Sequence, residues 1–385
     1  MIPYGRQDVT KSDIDTVTQV LQSDFLTQGP VTPKFEKKIA QYCGASYGVA
    51  TNSATSALHI ACLALGLREG DYMWTSPITF VASANCGIYC GAKVDFVDID
   101  MDTYNISSDT LERRLIQAEK KGELPKIVIP VHFSAQSCEM EKIYKLSKKY
   151  KFKIIEDASH AIWGRYKEGL IGNCKYSDIT VFSFHPVKII TTGEGGMALT
   201  NSRKLSEKMT LLRSHGITRN PNLMTQKPDG DWYYQQIGLG YNYRMTDIQA
   251  ALGISQMDRL DKYIKKRNEI AKKYDNKLES LPIKIPYQHQ DSDSAYHLYV
   301  ILLNQEISTS KKTLFEWLHN HGVHTSIHYI PVHMQPYYQD IGYKFGRCPN
   351  AENYYQRAIS LPIYPALSNS DQYTVIGAIN NFFKQ

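Results

Sequence analysis

Paired cysteines are missing from this chain. Its seven cysteines, Cys43, Cys62, Cys86, Cys90, Cys138, Cys174 and Cys348, are odd in number and scattered, and no two form a CxxC pair. That excludes a disulfide framework and a zinc ribbon; buried free thiols and no metal site are expected. A long apolar run is missing too. The longest uncharged stretch, Tyr72 to Ala92, carries Pro77, Asn85 and several hydroxyls, so it does not read as a membrane span. The opening MIPYGRQDVTKSD has no apolar signal core, which leads us to expect a cytoplasmic protein. Basic blocks are absent: 44 Lys plus Arg against 38 Asp plus Glu leave only a mild positive excess, which gives no indication of nucleic-acid binding. Repeats and low-complexity tracts are absent as well.

What is present is ordinary globular material, 385 residues with 42% hydrophobic and 21% charged. From about 50 to 200, short apolar runs alternate with helical segments. ATSALHIACLALGL (54–67) and MEKIYKLSKKY (140–150) have helical spacing. KIVIPVHF (126–133), KIIED (153–157), ITVFSF (179–184) and MALT (197–200) read as strands. This alternation predicts a mostly parallel sheet covered by helices. Met257 to Leu281 reads as one long charged helix closed by Pro282. Beyond it, AYHLYVILL (295–303), a helix around 311–321, HTSIHYIP (324–331) and a helix near 370–383 suggest a compact α+β unit. The expected division is therefore a large domain, 1–256, and a connector helix with a smaller domain, 257–385.

Two residues draw the chemistry together. Asp157 ends the strand KIIED, at the carboxyl end of a parallel strand, where open α/β sheets bind ligands. Lys188 follows after one more strand, between VFSFHPV and the glycine-rich TTGEGG. A capping role for Asp157 and a solvated Lys188 explain each residue singly. Together in one crevice they are what pyridoxal phosphate requires: an amine to bond its aldehyde, and an acid to keep its pyridine nitrogen protonated. Asn52-Ser53-Ala54-Thr55-Ser56 before a helix offers backbone amides to a phosphate, with Ser183 as a further hydroxyl. Phe80 suits either a core or a stack on a planar ring.

NSATSALHIA, TSPITFVAS, EDASHA, FSFHPVK, TTGEGG, RSHG and LGYNYRMTDIQAALG follow one another in the order of a known family. The chain resembles, over essentially its whole length, the DegT-type sugar aminotransferases, pyridoxal-phosphate enzymes of the aspartate-aminotransferase fold, type I. PYGRQ, LTQG, NSATSAL and RSHG look closest to the pseudaminic-acid branch, which aminates C4 of a UDP-linked 4-keto-6-deoxy-N-acetylhexosamine. The resemblance implies that Lys188 bonds the cofactor, Asp157 pairs with its ring nitrogen and His160 with its ring hydroxyl. It also implies that Phe80 stacks on the ring, and that Ala54, Thr55 and Ser183 hold the phosphate. Asn242 would reach the phosphate of a second subunit, making the active unit a homodimer. Tyr4, Asp24, Phe25, Leu26 and Thr27, with Ile327, His328, Tyr329 and Ile330, match segments that line the nucleotide-sugar pocket. The sequence departs at Ile330, where relatives often carry Lys, so a diphosphate contact there is missing. Glutamate is the expected amino donor. Two alternatives stand beside this reading: an aminotransferase for a different sugar, 3-keto or TDP-linked, and a cofactor-binding regulatory or inactive module. Arg213 and His215 of RSHG fit substrate contact or packing equally well.

Overall fold

The computed structural model describes residues 1–306 and 309–384, so residues 307, 308 and 385 of the expected second unit lie outside the described residues. Seven strands form the central sheet: β1 (Tyr47–Thr51), β2 (Tyr72–Thr75), β3 (Lys93–Phe96), β4 (Ile127–Ile129), β5 (Lys153–Asp157), β6 (Ile179–Ser183) and β7 (Gly196–Thr200). Their order is β1-β7-β6-β5-β4-β2-β3. The pairs β2–β3, β2–β4, β4–β5 and β5–β6 are parallel, while β7 runs antiparallel to both β6 and β1. Helices cover both faces, so the inner strands read as continuous apolar runs: Ile127–Ile129 and Ile179–Phe182 are buried at every position. In KIVIPVHF the regular strand ends after three residues, at Pro130, which has no N–H to donate; an isolated bridge from Val131 to Asp157 follows. β7 follows β6 without an intervening helix, so it returns antiparallel.

The sheet places chemistry at one end. The carboxyl ends of β1, β5 and β6 lie there, as does the first residue of β7, since it runs the other way. β1 leads straight into helix α1 (Ala54–Ala64), and helix α2 (Ala82–Tyr89) follows β2. α1 is buried at eight of its eleven positions, and its Ser53 cap accepts from the Ser56 amide.

The helix predicted from Met257 to Leu281 is α4 (Leu260–Leu278); it starts three residues later because a separate helix, α3 (Asp247–Met257), ends at Met257. No breaker residue marks the gap. Asp258 and Arg259 are instead held by distant partners, Lys38 at 2.5 Å and Asp13 at 2.5 Å. α4 then spans two cores. Leu260, Tyr263 and Ile264 pack with Phe35, Phe184 and Ile190. Ile270, Tyr274 and Leu278 pack with a second, antiparallel sheet of β8 (Ile283–Lys284), β9 (Tyr299–Leu303) and β10 (Ala358–Leu361). Ile2 joins that second core and bridges to Val323. The N-terminus is thereby tied to the small sheet, and the Tyr4 carbonyl accepts from the Ile363 amide.

All seven cysteines are free; six are buried and Cys90 is half-buried. Among the described residues no group of His, Cys, Asp or Glu is arranged to hold a metal ion, and no helix is long and apolar enough to cross a membrane.

Candidate active site

A pocket of about 770 Å³ opens at the carboxyl end of the central sheet. It gathers Lys188, Asp157, His160, Ser183, Phe80, Ala54 and Thr55 with Tyr4, His328 and Tyr329 on one wall. These residues come from connections far apart in the chain, which the strand order brings to one crevice.

Lys188 is presented by a stapled loop. The Phe184 amide donates to the Gly195 carbonyl, and the Thr192 amide and Thr191 hydroxyl donate to the Phe184 carbonyl. Between these staples the Lys188 amide turns back onto the His185 carbonyl at 2.9 Å. The amine itself has no hydrogen-bond partner among the described residues. Burial pulls its pKa from 10.5 down to about 8, against the opposing pull of Asp157. The uncharged, nucleophilic amine is therefore accessible within about one unit of neutrality. Uptake of pyridoxal phosphate by the cofactor-free protein, followed by absorbance, should accelerate with pH around a midpoint near 8. A midpoint above 10 would mean that the amine sits in water.

Asp157 is 4% exposed. Its Oδ2 accepts from Ser83 Oγ at 2.5 Å, and its Oδ1 accepts from the Ser159 amide at 3.1 Å and Ser159 Oγ at 2.6 Å. Two hydroxyls and one amide thus fix its orientation. Its presence in the crevice, with donors fixing its orientation, goes beyond a cap.

The amides of Ala54 and Thr55 open α1 and have no protein acceptor among the described residues, because the Ser53 cap serves Ser56 and Ala57. With the Ser183 hydroxyl they form a site for an anion at a helix N-terminus. The strand β7 presses against this turn. A Cβ on Gly196 would meet the Ser53 carbonyl at 2.5 Å and the Ala54 nitrogen at 2.6 Å. Gly196→Ala is thus expected to cost about 1–3 kcal/mol by overpacking and to weaken phosphate binding as the turn is pushed aside. Thermal melts and cofactor titration check both; an unchanged affinity would separate the glycine from the anion site.

Phe80 is 60% exposed on the pocket wall, which removes the core reading and leaves its ring free to stack. His160 lies between the Ser134 amide and the Tyr329 hydroxyl, and burial, then Lys188 and His328, hold its pKa well below the ordinary value. Burial likewise brings His328 down to about 3, so it too is neutral. Tyr4 packs on His328 with ring centroids 5.5 Å apart.

Other expected site residues do not line this pocket. Asp24, Phe25, Leu26 and Thr27 are exposed along the start of α3: Thr27 bridges to Thr246, and the Leu26 carbonyl accepts from the Asp247 amide. Asn242 is exposed and bridges to Ser214. Ile327 packs toward the second core because the extended segment alternates its side chains, sending His328 the other way. Ile330 is exposed. Arg213 is structural, paired with Glu36 at 2.5 Å and the Ala50 carbonyl at 2.7 Å.

Ser83, Ser159 and Ser134 escaped sequence reasoning. Ser83 sits in the quoted TSPITFVAS, but nothing local shows that it meets a carboxylate 74 positions away. The amine, the carboxylate and the unpaired amides fit pyridoxal phosphate: a covalent anchor, a partner for the ring nitrogen and a phosphate cradle.

Comparison with known proteins places the chain in a family. A family model described as the DegT/DnrJ/EryC1/StrS aminotransferase family matches residues 7–380. The UDP-4-amino-4,6-dideoxy-N-acetyl-beta-L-altrosamine transaminase of Campylobacter jejuni is 39% identical over 372 residues, 96% of this chain and 94% of its own. The structure of Helicobacter pylori PseC, an aminotransferase involved in the biosynthesis of pseudoaminic acid, superposes with a TM-score of 0.91 at 32% identity, covering 100% of this chain and 99% of its own. The PLP form of the putative sugar aminotransferase Spr1654 from Streptococcus pneumoniae superposes with a TM-score of 0.89 at 26% identity, over 100% of this chain and 98% of its own.

Proposed function

This chain belongs to the DegT/DnrJ/EryC1/StrS aminotransferase family, and from that premise we propose that it moves an amino group from glutamate to C4 of a UDP-linked 4-keto-6-deoxy-N-acetylhexosamine. It is a pyridoxal-phosphate-dependent sugar aminotransferase of fold type I that acts on nucleotide sugars. The observation that carries the reading is the meeting of Lys188, Asp157 and the free Ala54 and Thr55 amides in one pocket. The pocket is large enough for a further ligand beside the cofactor. The likeness to the C. jejuni transaminase, together with the PYGRQ and LTQG segments, supports the choice of sugar.

Bound pyridoxal phosphate supplies an aldehyde that takes up amines and a ring that draws electrons from the neighbouring carbon. The residues of this chain do the rest. The α1 amides and Ser183 would hold the phosphate, and Asp157 would keep the ring nitrogen protonated. Lys188 Nζ, displaced by the donor amine, takes the proton from the donor Cα. That proton would pass to the cofactor's aldehyde carbon, one water would release glutamate as a keto acid, and the amino group would stay on the cofactor. In the second half condensation with the sugar ketone would return the water. The same nitrogen would carry the proton from that carbon to sugar C4, so that the sugar leaves as an amine. Tyr4, His328 and Tyr329 form the wall against which the sugar is oriented.

The test is a panel of UDP-, GDP- and TDP-linked 3-keto and 4-keto sugars incubated with enzyme and glutamate, with products read by mass and NMR. Amination at C4 of the UDP-linked 4-keto-N-acetyl sugar is expected. Turnover confined to another nucleotide or to a 3-keto sugar would overturn the choice of substrate.

The same reading makes the enzyme a cytoplasmic homodimer with shared sites. Asn242 is exposed and does not line its own pocket, which supports the reading that it serves a second copy. Mixing Lys188→Ala chains with Asn242→Ala chains should restore some activity, since one site of the mixed dimer then carries neither lesion. Mixed dimers that form but stay inactive would count against sharing.

A further inference from the structure

His160 occupies a socket that admits one protonation state. Its Nδ1 accepts the Ser134 amide hydrogen at 3.3 Å, and its Nε2 lies 3.0 Å from the Tyr329 hydroxyl. A proton on Nδ1 would set N–H against N–H, so the ring is neutral and carries its hydrogen on Nε2, toward the pocket.

Ser134 is itself held. It sits in the left-handed region with φ 56°, its Oγ donates to the Leu298 carbonyl at 2.6 Å, and its carbonyl accepts from Ser294 Oγ at 3.1 Å. The 294–298 segment is clamped in turn by Arg267. Its Nη1 donates toward the carbonyls of Tyr296 at 3.1 Å, His297 at 3.3 Å and Ile363 at 3.1 Å. Arg267 is 2% exposed, and no carboxylate pairs with it among the described residues. Burial lowers its pKa only to about 10, so it stays a cation at neutral pH. A buried guanidinium without an anion is costly, and among the described residues carbonyl dipoles compensate it. What that arrangement secures is the segment carrying His297, whose ring packs 4.4 Å from that of His160. His297 Nδ1 is buried without a partner, so this ring is neutral as well.

We propose that Arg267 is a positioning residue for the cofactor site, acting through the 294–298 segment and Ser134 to hold His160 in its neutral, pocket-facing form. This rests on reading the pocket as a pyridoxal-phosphate site. The charged and titratable groups that face His160 are Lys188 and His328 across the pocket, Tyr329 at Nε2 and His297 behind. Arg267 lies beyond His297. The anion in the same pocket, Asp157, is held by Ser83 and Ser159 and makes no contact with His160. Burial, then Lys188 and His328, disfavour a proton on His160, provided that the clamp keeps the ring in place.

The experiment compares Arg267→Met, Arg267→Lys and Ser134→Ala, each alone and combined with His160→Gln. The readouts are the dissociation constant of pyridoxal phosphate and the pH dependence of bound-cofactor absorbance. Arg267→Met and Ser134→Ala should weaken cofactor binding about tenfold and add an acid-side transition from a His160 that now takes a proton. Arg267→Lys, which keeps the charge, should recover part of both. In the His160→Gln background the added transition should vanish and the affinity change should shrink to about twofold or less, as for residues acting through one another. The same loss in both backgrounds, with no new transition, would reduce Arg267 to a packing role and overturn the proposal. If Arg267→Met does not fold, Ser134→Ala, which removes one hydroxyl, decides by the same comparison. Wild-type protein that takes up no pyridoxal phosphate would instead sink the reading of the site on which the inference rests.

Discussion

Lys188→Ala is expected to lower transamination by about 10⁴-fold or more, because one amine serves as both covalent anchor and proton carrier. The variant should fold. The Lys188 side chain makes no hydrogen bond that its loss would orphan, and its loop is held by backbone staples through Phe184. The cofactor-free variant should even gain stability at neutral pH. In the folded wild type the amine titrates near 8 instead of 10.5, so the buried ammonium is a cost fully present below about pH 8. That cost fades as pH rises from 8 toward 10.5, and the advantage of the variant in thermal melts should fade with it. Pyridoxal phosphate should still bind, noncovalently, through Asp157, Ser183 and the α1 amides. Borohydride should fix cofactor to the wild type and not to the variant, and peptide mapping should find it on Lys188. A label on another lysine, or full turnover by the variant, would remove Lys188 from its role.

Asp157→Asn is expected to cost about 10²–10⁴-fold in turnover while cofactor affinity falls far less. The phosphate cradle is untouched, and the hydroxyls of Ser83 and Ser159 can rotate to meet an amide. The Ser159 amide cannot rotate, so the Asn oxygen is expected to stay on that side and the NH₂ to face Ser83. Orientation is then kept and only the negative charge is lost, so the ring nitrogen is no longer held protonated. Ser83→Ala provides the contrast: the charge remains, one donor goes, and the loss should be much smaller. Near-normal turnover by Asp157→Asn would mean that the carboxylate serves packing alone.

Much of the architecture was legible before any coordinates. The βα alternation between 50 and 200 shows because strands buried on both faces are mostly apolar, as Ile127–Ile129 is and as Ile179–Phe182 is but for Thr180. The helix 140–150 matched its predicted span, since Met140, Ile143 and Leu146 mark one buried face. Lys188 and Asp157 stood out because a cation and an acid at strand ends are legible where the strands are. The gap between α3 and α4 was not legible, because Lys38–Asp258 and Arg259–Asp13 hold it across more than 200 positions.

By itself the sequence determined a mostly parallel sheet and four of its seven strands, the end of it that binds, the family, and the two groups that meet there. Each is written in periodicity, in chain order or in a motif, and each survives without knowledge of what lies opposite. Only the tertiary structure decided how those groups are held. It set Ser83 and Ser159 on Asp157, pressed Gly196 against the phosphate turn, carried Ile327 and residues 24–27 off the pocket, and ran a line of contacts from Arg267 to His160. A serine that buttresses a carboxylate is locally like any other serine. Its role comes from the crossover that brings it there, and that placement is settled by packing the sheet and its helices as a whole.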